Sequence, residues 1–426
     1  MLAAALLLLA HPPQTRGEEA PLAIAHVTVI DLESGATDAD RTVLVRGDRI
    51  AAVEASAELD LPERALVIDG RGRFLIPGLV DAHVHVTERD LPLFLANGVT
   101  AIRELNGSSA HLAMRARIAA GELLGPRVKV TSPLLAGERQ RWRHELLLDP
   151  LEAGERAEAF ADAGYDALKV YDGLGREVYD VLAEVARDRS LPLVGHVPSA
   201  VGLDRVLAAR QGIEHVEQIV RATVGHALEP ERIGEIAALV ARAGVTVTPT
   251  LAAQEILAHT ARADFAARFE RPEIAYVERD ILEWWQSLRS REHGNDSAAV
   301  NPYYAFQAAL VRAMAEAGVT ILVGTDTPNP LLVPGFSIHD ELAALVGAGL
   351  KPSEVLRAAT VGAAGCLGWK DQGRIAPGQV ADLVLLEGDP RASLGLLRRP
   401  VGVVAAGRWL DRTALDALVA PLARED

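Results

Sequence analysis

His83 and His85, one residue apart, close an apolar run that begins Ile76-Pro-Gly-Leu-Val-Asp81-Ala. Residues two apart on a strand point the same way, so both imidazoles would share a face, with Val84 turned from it. A lone His-x-His is weak evidence for a metal. Four further groups strengthen it, each closing another apolar run. They are Lys169 in Ala-Leu-Lys-Val-Tyr-Asp-Gly, His196 in Val-Gly-His-Val-Pro, His215 in Ile-Glu-His-Val-Glu and Asp326 in Leu-Val-Gly-Thr-Asp-Thr. Imidazole nitrogens and a carboxylate oxygen are donors that zinc favours and that manganese, cobalt and iron also accept. Together the six residues suit a two-metal hydrolytic centre.

Lys169 is the unusual member. An isolated ammonium in an apolar strand is costly, so this lysine must pair, lose its proton or be modified. An ordinary salt bridge, to Asp172 for example, is one outcome. The other is addition of carbon dioxide to the neutral amine, giving a carbamate able to hold two cations.

Further groups bear on the substrate. Tyr171, two residues beyond Lys169, either donates a hydrogen bond to a carbonyl oxygen as charge builds there or simply lines the barrel. Gly137-Glu-Arg-Gln-Arg141-Trp-Arg143-His144 is a cationic cluster in an acidic chain. Arg141, Arg143 and His144 either grip a substrate carboxylate through an Arg fork or form a solvated loop. His339 and Glu341, after the last of these runs, are placed near the site by order alone; of the two only His339 is expected to touch substrate.

The elements that must position these groups alternate between apolar strands and helical stretches, which is the signature of parallel βαβ construction. Candidate strands are 79–86, 99–105, 127–132, 167–171, 193–197, 212–216, 245–250 and 319–325. A phrase recurs with them: Ala-Asn-Gly-Val-Thr ends at Thr100, and Ala-Gly-Val-Thr ends at Thr246 and Thr320. Each reads as a helix stopping at a Gly with positive φ, followed at once by a β-branched strand opening. An eight-unit (β/α)8 barrel over 77–372, of the TIM type, follows. Chemistry in such a barrel sits at the strand ends, where all six residues fall. The connection 251–317 exceeds an ordinary loop. It is either a lid or oligomer surface, or an extra helix anchored by Trp284 and Trp285.

Outside the barrel, 21–76 and 373–426 carry short alternating runs broken by Gly and Asp. Neither end alone suffices for a stable sandwich, so the two are expected to pair into one small β-sandwich domain.

Composition agrees with an α/β enzyme of this size, at 426 residues with 49% hydrophobic, 24% charged and only 4% aromatic residues. The net charge of −15, with no long Lys/Arg stripe, argues against nucleic acid and anionic membranes as partners. Cys366 is the sole cysteine, so no intrachain disulfide forms; its Ala-Ala-Gly-Cys-Leu-Gly setting predicts a small core residue. Residues 1–20 open with ten apolar residues followed by His11-Pro12-Pro13, which resembles the apolar part of a signal peptide and predicts export to a periplasmic or extracellular space. Against this, no Lys or Arg precedes the run, and a mis-assigned start or a frayed terminus would leave the protein cytoplasmic. The run is too short to span a bilayer.

These motifs, with Arg357-Ala-Ala-Thr360 and Gly-Gln-Val-Ala-Asp382-Leu, resemble the metal-dependent amidohydrolase superfamily over about residues 22–410. The closer resemblance is to the branch of imidazolonepropionase-like and Xaa-Pro dipeptidase-like enzymes, which includes carboxypeptidases. One departure is Glu104 after Arg103, where an aspartate is expected in many relatives. The resemblance implies a distorted barrel with a β-sandwich and two divalent cations, zinc foremost. His83, His85 and Asp326 would bind the first, His196 and His215 the second, and N6-carboxylated Lys169 would bridge them. It also implies a hydroxide shared by the two cations as nucleophile, with Asp326 passing its proton to the leaving amine.

The expected function is thus hydrolysis of an amide bond in a dipeptide, an N-acyl amino acid or a similar small molecule, as a metallopeptidase or amidase. Opening of a lactam, imidazolone-type ring or lactone, or deamination of a heterocycle, is the alternative. Lys169 counts against deamination, since deaminases of this plan usually lack it. A non-catalytic barrel scaffold would be expected to have lost ligands, and all six positions are filled. The partner expected is a small-molecule or short-peptide substrate, with a homo-oligomer left open.

Overall fold

The computed structural model describes residues 20–258, 263–289 and 301–424. The expected leader lies, but for Ala20, outside them.

The chain opens with five strands, β1 (Leu22–Ile30), β2 (Thr37–Arg46), β3 (Arg49–Ala55), β4 (Leu66–Asp69) and β5 (Phe74–Pro77). Eight parallel barrel strands follow: β6 (Leu79–Val84), β7 (Val99–Glu104), β8 (Arg127–Ala136), β10 (Ala167–Val170), β11 (Leu193–Gly195), β12 (Gly212–Glu214), β13 (Thr246–Thr248) and β14 (Thr320–Ile321). A short β9 (His144–Leu146), not anticipated, returns the cationic loop alongside β8 in parallel register, with Leu134 opposite His144. The barrel strands lie side by side in chain order. The two edges meet where Ala82 N donates to Val323 O and Asp326 N to His83 O, each at 2.8 Å. The result is a barrel-like curl of parallel sheet.

The recurring Gly junctions fold as expected. Gly98, Gly244 and Gly318 have φ of +77°, +63° and +85°, each ending a helix immediately before β7, β13 and β14. Helices wrap the outside by amphipathic patterning. In Arg176–Asp188 the buried residues are Val178, Tyr179, Leu182 and Ala186, one helical face turned to the apolar outer surface of the strands. Helix Pro150–Asp162 starts on Asp149, whose carboxylate accepts from Glu152 N, with Pro150 in the first turn.

The chain returns through β15 (Leu383–Leu386), β16 (Gly402–Ala405) and β17 (Arg408–Asp411). The two ends pair: β15 runs antiparallel to β5 with Leu385 opposite Leu75, and hydrogen bonds join all eight terminal strands into one connected sheet. Leu22, Ile24, Val43, Leu75, Leu383 and Val404 meet in its own apolar cluster.

Between β13 and β14 lie helices Leu251–Ala258, Arg279–Arg289 and Pro302–Glu316, with two short helical turns. Trp285, 1% exposed, packs with Ile274, Val277 and Leu331–Val333, and its indole donates to Pro328 O at 3.2 Å. The anchoring expected of the tryptophan pair therefore belongs to Trp285. Cys366 departs from expectation by being exposed. Its helix, Val361–Cys366, buries Val361, Ala363 and Ala364, which leaves Cys366 off the packed face.

Among the described residues no helix is long and apolar enough to cross a membrane.

Candidate metal centre

The residues singled out at the strand ends converge at one mouth of the barrel. His83 is on β6 and His85 just past it; Lys169 is on β10; His196, His215 and Asp326 follow β11, β12 and β14. His83 Nε2 and His85 Nε2 each lie 3.2 Å from Asp326 Oδ1. His215 Nδ1 is 3.8 Å from Asp326 Oδ2. Ring centroids are 4.7 Å apart for His83 and His215 and 5.1 Å for His215 and His196. His83, His215 and Asp326 each present one ligand atom, all within 4.8 Å of one another.

Backbone conformation aims these groups. His215 and Asp326 have φ of +65° and +61°, and Thr250 beside them +52°. Non-glycine residues seldom adopt this region, and here three do so at consecutive points of one rim. Asp81 fixes the closing turn: its buried carboxylate accepts from Thr325 N (3.0 Å) and Thr325 Oγ1 (2.8 Å), and burial raises its pKa to about 7.

A second layer of partners orients each imidazole. Glu214 Oε2 stands 2.8 Å from His83 Nδ1, while its Oε1 accepts from Arg103 Nη2 at 2.6 Å. Asp172 Oδ1 is 3.2 Å from His196 Nδ1, and Thr250 Oγ1 is 2.8 Å from His215 Nδ1. With Nδ1 engaged, Nε2 is the nitrogen each ring offers to the site, the arrangement that prepares histidine as a ligand. Glu104 flanks His85 at 3.5 Å and accepts from Val86 N and Asn106 N. Of these partners, Glu214 and Arg103 leave a signal in the sequence: a carboxylate and a guanidinium inside apolar strands, where charges are almost never buried unpaired.

Electrostatics match the donor set. Burial would raise the Asp326 carboxyl, but His83 beside it and hydrogen bonds from His83 and His85 overcome this and hold the pKa well below the usual range. Burial lowers both His196 and His215, keeping them as neutral bases. His85 is the exception: burial would lower it, yet the Asp326 and Glu104 carboxylates bring it to about 9, so without a cation the ring carries a proton that a bound metal must displace.

Lys169 is 1% exposed, and its Nζ has no hydrogen-bond partner among the described residues. The ordinary salt bridge to Asp172 is not formed; that carboxylate serves His196 and Arg221 instead. Burial lowers the Lys169 amine to about 8 against the pull of Glu214 and Asp326. A buried orphan nitrogen within electrostatic reach of His196, His215 and Asp326 is what a carbamate tether would use, so the residues present fit a divalent metal centre.

Tyr171 stacks on His196 at a ring-centroid distance of 4.0 Å, and its hydroxyl has no hydrogen-bond partner among the described residues. The cationic loop is engaged with protein. Arg143 donates to the carbonyls of Asn106 and Gly107, and His144 Nδ1 is 2.7 Å from Trp142 O. Arg141 lies over the rings of Trp142 and Trp284, at 5.3 and 4.6 Å, which ties this loop to helix Arg279–Arg289. His339 Nε2 meets Asn97 Oδ1 at 3.0 Å in a fully buried setting. Glu341 accepts from Ala252 N at 2.7 Å, holding the start of helix Leu251–Ala258.

The model of the amidohydrolase family matches residues 74–410. An imidazolonepropionase of Anaeromyxobacter sp. (strain K) is 27% identical over 418 residues, covering 86% of this chain and 89% of the relative. Among solved structures, a bottromycin amidohydrolase superposes with a TM-score of 0.78 at 30% identity, covering 94% of this chain and 89% of that one. A candidate prolidase from Bifidobacterium longum superposes with a TM-score of 0.72 at 26% identity, covering 95% and 100%.

Proposed function

The chain belongs to the amidohydrolase family, and on that premise we propose that it is a metal-dependent hydrolase cleaving the amide bond of a small substrate such as a dipeptide or an N-acyl amino acid. The observation that carries this reading is the fully buried Lys169 amine, unpartnered among the described residues and near enough to His196, His215 and Asp326 to act on them electrostatically. In this reading the neutral Lys169 amine would add carbon dioxide, forming an N–C bond and releasing a proton, and the carbamate would serve as a ligand for divalent cations. His83, His85 and Asp326 would hold one cation, and His196 and His215 a second. Such cations would supply a lowered water pKa and polarisation of the substrate carbonyl.

The protein's own groups do the rest. Asp326 is ionised at neutral pH, so the form that accepts a proton is the one present. It takes a proton as the water oxygen bonds to the carbonyl carbon, and delivers it to the nitrogen as the C–N bond breaks. Tyr171 donates its free hydroxyl to the carbonyl oxygen as negative charge collects there. Glu214, Asp172 and Thr250 keep His83, His196 and His215 in one tautomer and orientation.

The likeness to imidazolonepropionase favours a second reading of the same chemistry, with a cyclic amide as substrate.

Asp326→Asn tests the proton role. The variant should lose roughly 10²- to 10⁴-fold in kcat while retaining most bound metal. Near-normal turnover would remove Asp326 from that role. Metal analysis with a screen of dipeptides, N-acyl amino acids and lactams then separates the readings: turnover of lactams alone would overturn the linear amide.

A further inference from the structure

The opposite end of the barrel from the metal centre holds a cavity of about 470 Å³ at the starts of the strands. Barrel interiors are ordinarily filled by layers of bulky branched side chains. Here Thr131, Ala167, Gly212 and Thr246 stand in the lining, and small residues leave the floor open. The charged groups that line it are Arg103, Lys129, Arg210 and Asp166.

Arg103 is only 5% exposed. Its Nε donates to Ala82 O at 2.7 Å, and its Nη2 to Glu214 and, at 3.4 Å, to Thr248. Nη1 has no hydrogen-bond partner among the described residues and is the group left to face the cavity. Asp166 is already shared by Lys129 (2.9 Å) and Arg115 (2.5 Å). Arg210 has no acidic partner among the described residues. Among the described residues Arg103, Lys129, Arg115 and Arg210 thus have only two carboxylates as ion-pair partners, Glu214 and Asp166, which leaves two positive charges unpaired in a chain whose net charge is −15.

We infer that this floor cavity is a binding site for a small dianionic oxyanion, a phosphate or dicarboxylate, held by Arg103 Nη1, Lys129 and Arg210. Its size suits a small molecule, and guanidinium groups are the donors that match such oxygens. The site lies at the other end of the barrel from the metal centre. Arg103 joins the two, because the guanidinium that faces the cavity also holds the Glu214–His83 pair.

Cys366, the sole cysteine, lines the same cavity and is exposed, so it reports occupancy without recourse to activity. The experiment follows alkylation of Cys366 by N-ethylmaleimide, a neutral reagent, at increasing inorganic phosphate or succinate, with chloride matching the ionic strength. Saturable protection by either anion is expected, and the more effective one identifies the ligand class. Arg210→Gln, at an exposed position, should raise the half-protecting concentration about tenfold or more, the worth of one charge-assisted hydrogen bond. Lys129→Gln should act in the same direction. Absence of protection by both anions, or protection unchanged in both variants, overturns the site.

Discussion

His83 Nδ1 and Glu214 Oε2 stand 2.8 Å apart with both side chains 1% exposed. Glu214 pays for its burial by pairing on its other side with Arg103, and this pairing, together with His83, holds its pKa far below the ordinary carboxylate range. Glu214→Gln keeps the shape but removes the charge. Metal affinity should fall by about 10- to 100-fold, measured by competition with a chromogenic chelator. An unchanged affinity would reduce Glu214 to a structural role. Glu214→Ala should be much more damaging, by about 3–5 kcal/mol in chemical denaturation, because Arg103 is then buried unpaired.

Lys169 supplies a pH signature. An unfolded lysine titrates near 10.5 and the folded one, lowered by burial, near 8. Between these values the unfolded chain holds the extra proton, so stability of the unmodified, metal-free protein rises as pH climbs from about 8 to about 10.5. Below pH 8 the penalty is complete, of order 3 kcal/mol. Lys169→Met should therefore be more stable than the unmodified metal-free wild type at pH 7, with the gap narrowing above pH 8 in urea titrations. Uptake of ¹³C-bicarbonate into the wild-type amine should grow about tenfold per pH unit below 8 and level off above it, as read by carbon NMR, and be absent in Lys169→Met.

Tyr171 should act on kcat alone. Removal of its hydroxyl in Tyr171→Phe leaves the stacking on His196 intact and takes away one donor to the developing oxyanion. A loss of about 10²-fold or more in kcat, with KM and metal content little changed, is expected. Equal losses in metal content and kcat would instead mark the ring as a support for His196.

Gly324 tests how closely the rim is packed. A Cβ there would lie 2.7 Å from His83 Cβ and 2.5 Å from Thr248 Cγ2. Gly324→Ala should cost about 1–3 kcal/mol of stability, measured by thermal or urea unfolding, and should weaken metal binding by displacing His83.

The barrel was legible because strands alternate with helical stretches throughout and three junctions repeat one physical sentence: a helix stopped at a positive-φ Gly, then a β-branched strand, at Gly98, Gly244 and Gly318. The converging residues were legible for the same reason, since strand ends in a parallel barrel meet at one mouth. Less could be read where a group's partner comes from a distant strand. Glu214 and Arg103 are 111 residues apart, and nothing near either one announces the pairing. Arg141, Arg143 and His144 show the reverse: a conspicuous cationic run whose members are occupied by Trp142, Trp284 and the Asn106–Gly107 carbonyls. The exposure of Cys366 is not legible in its Ala-Ala-Gly-Cys-Leu-Gly setting, because composition around a cysteine does not say which side of a short helix it occupies.

The antiparallel pairing of β5 with β15 sets a timetable for synthesis. On the ribosome, β1 to β5 emerge first, and the edge of β5 has no neighbour until the entire barrel has been translated. An unpaired apolar edge recruits other chains, and contacts so remote along the chain form slowly. A nascent chain of this protein must carry an open edge through most of its own production, so C-terminal truncation short of β15 should yield aggregates rather than a smaller soluble barrel.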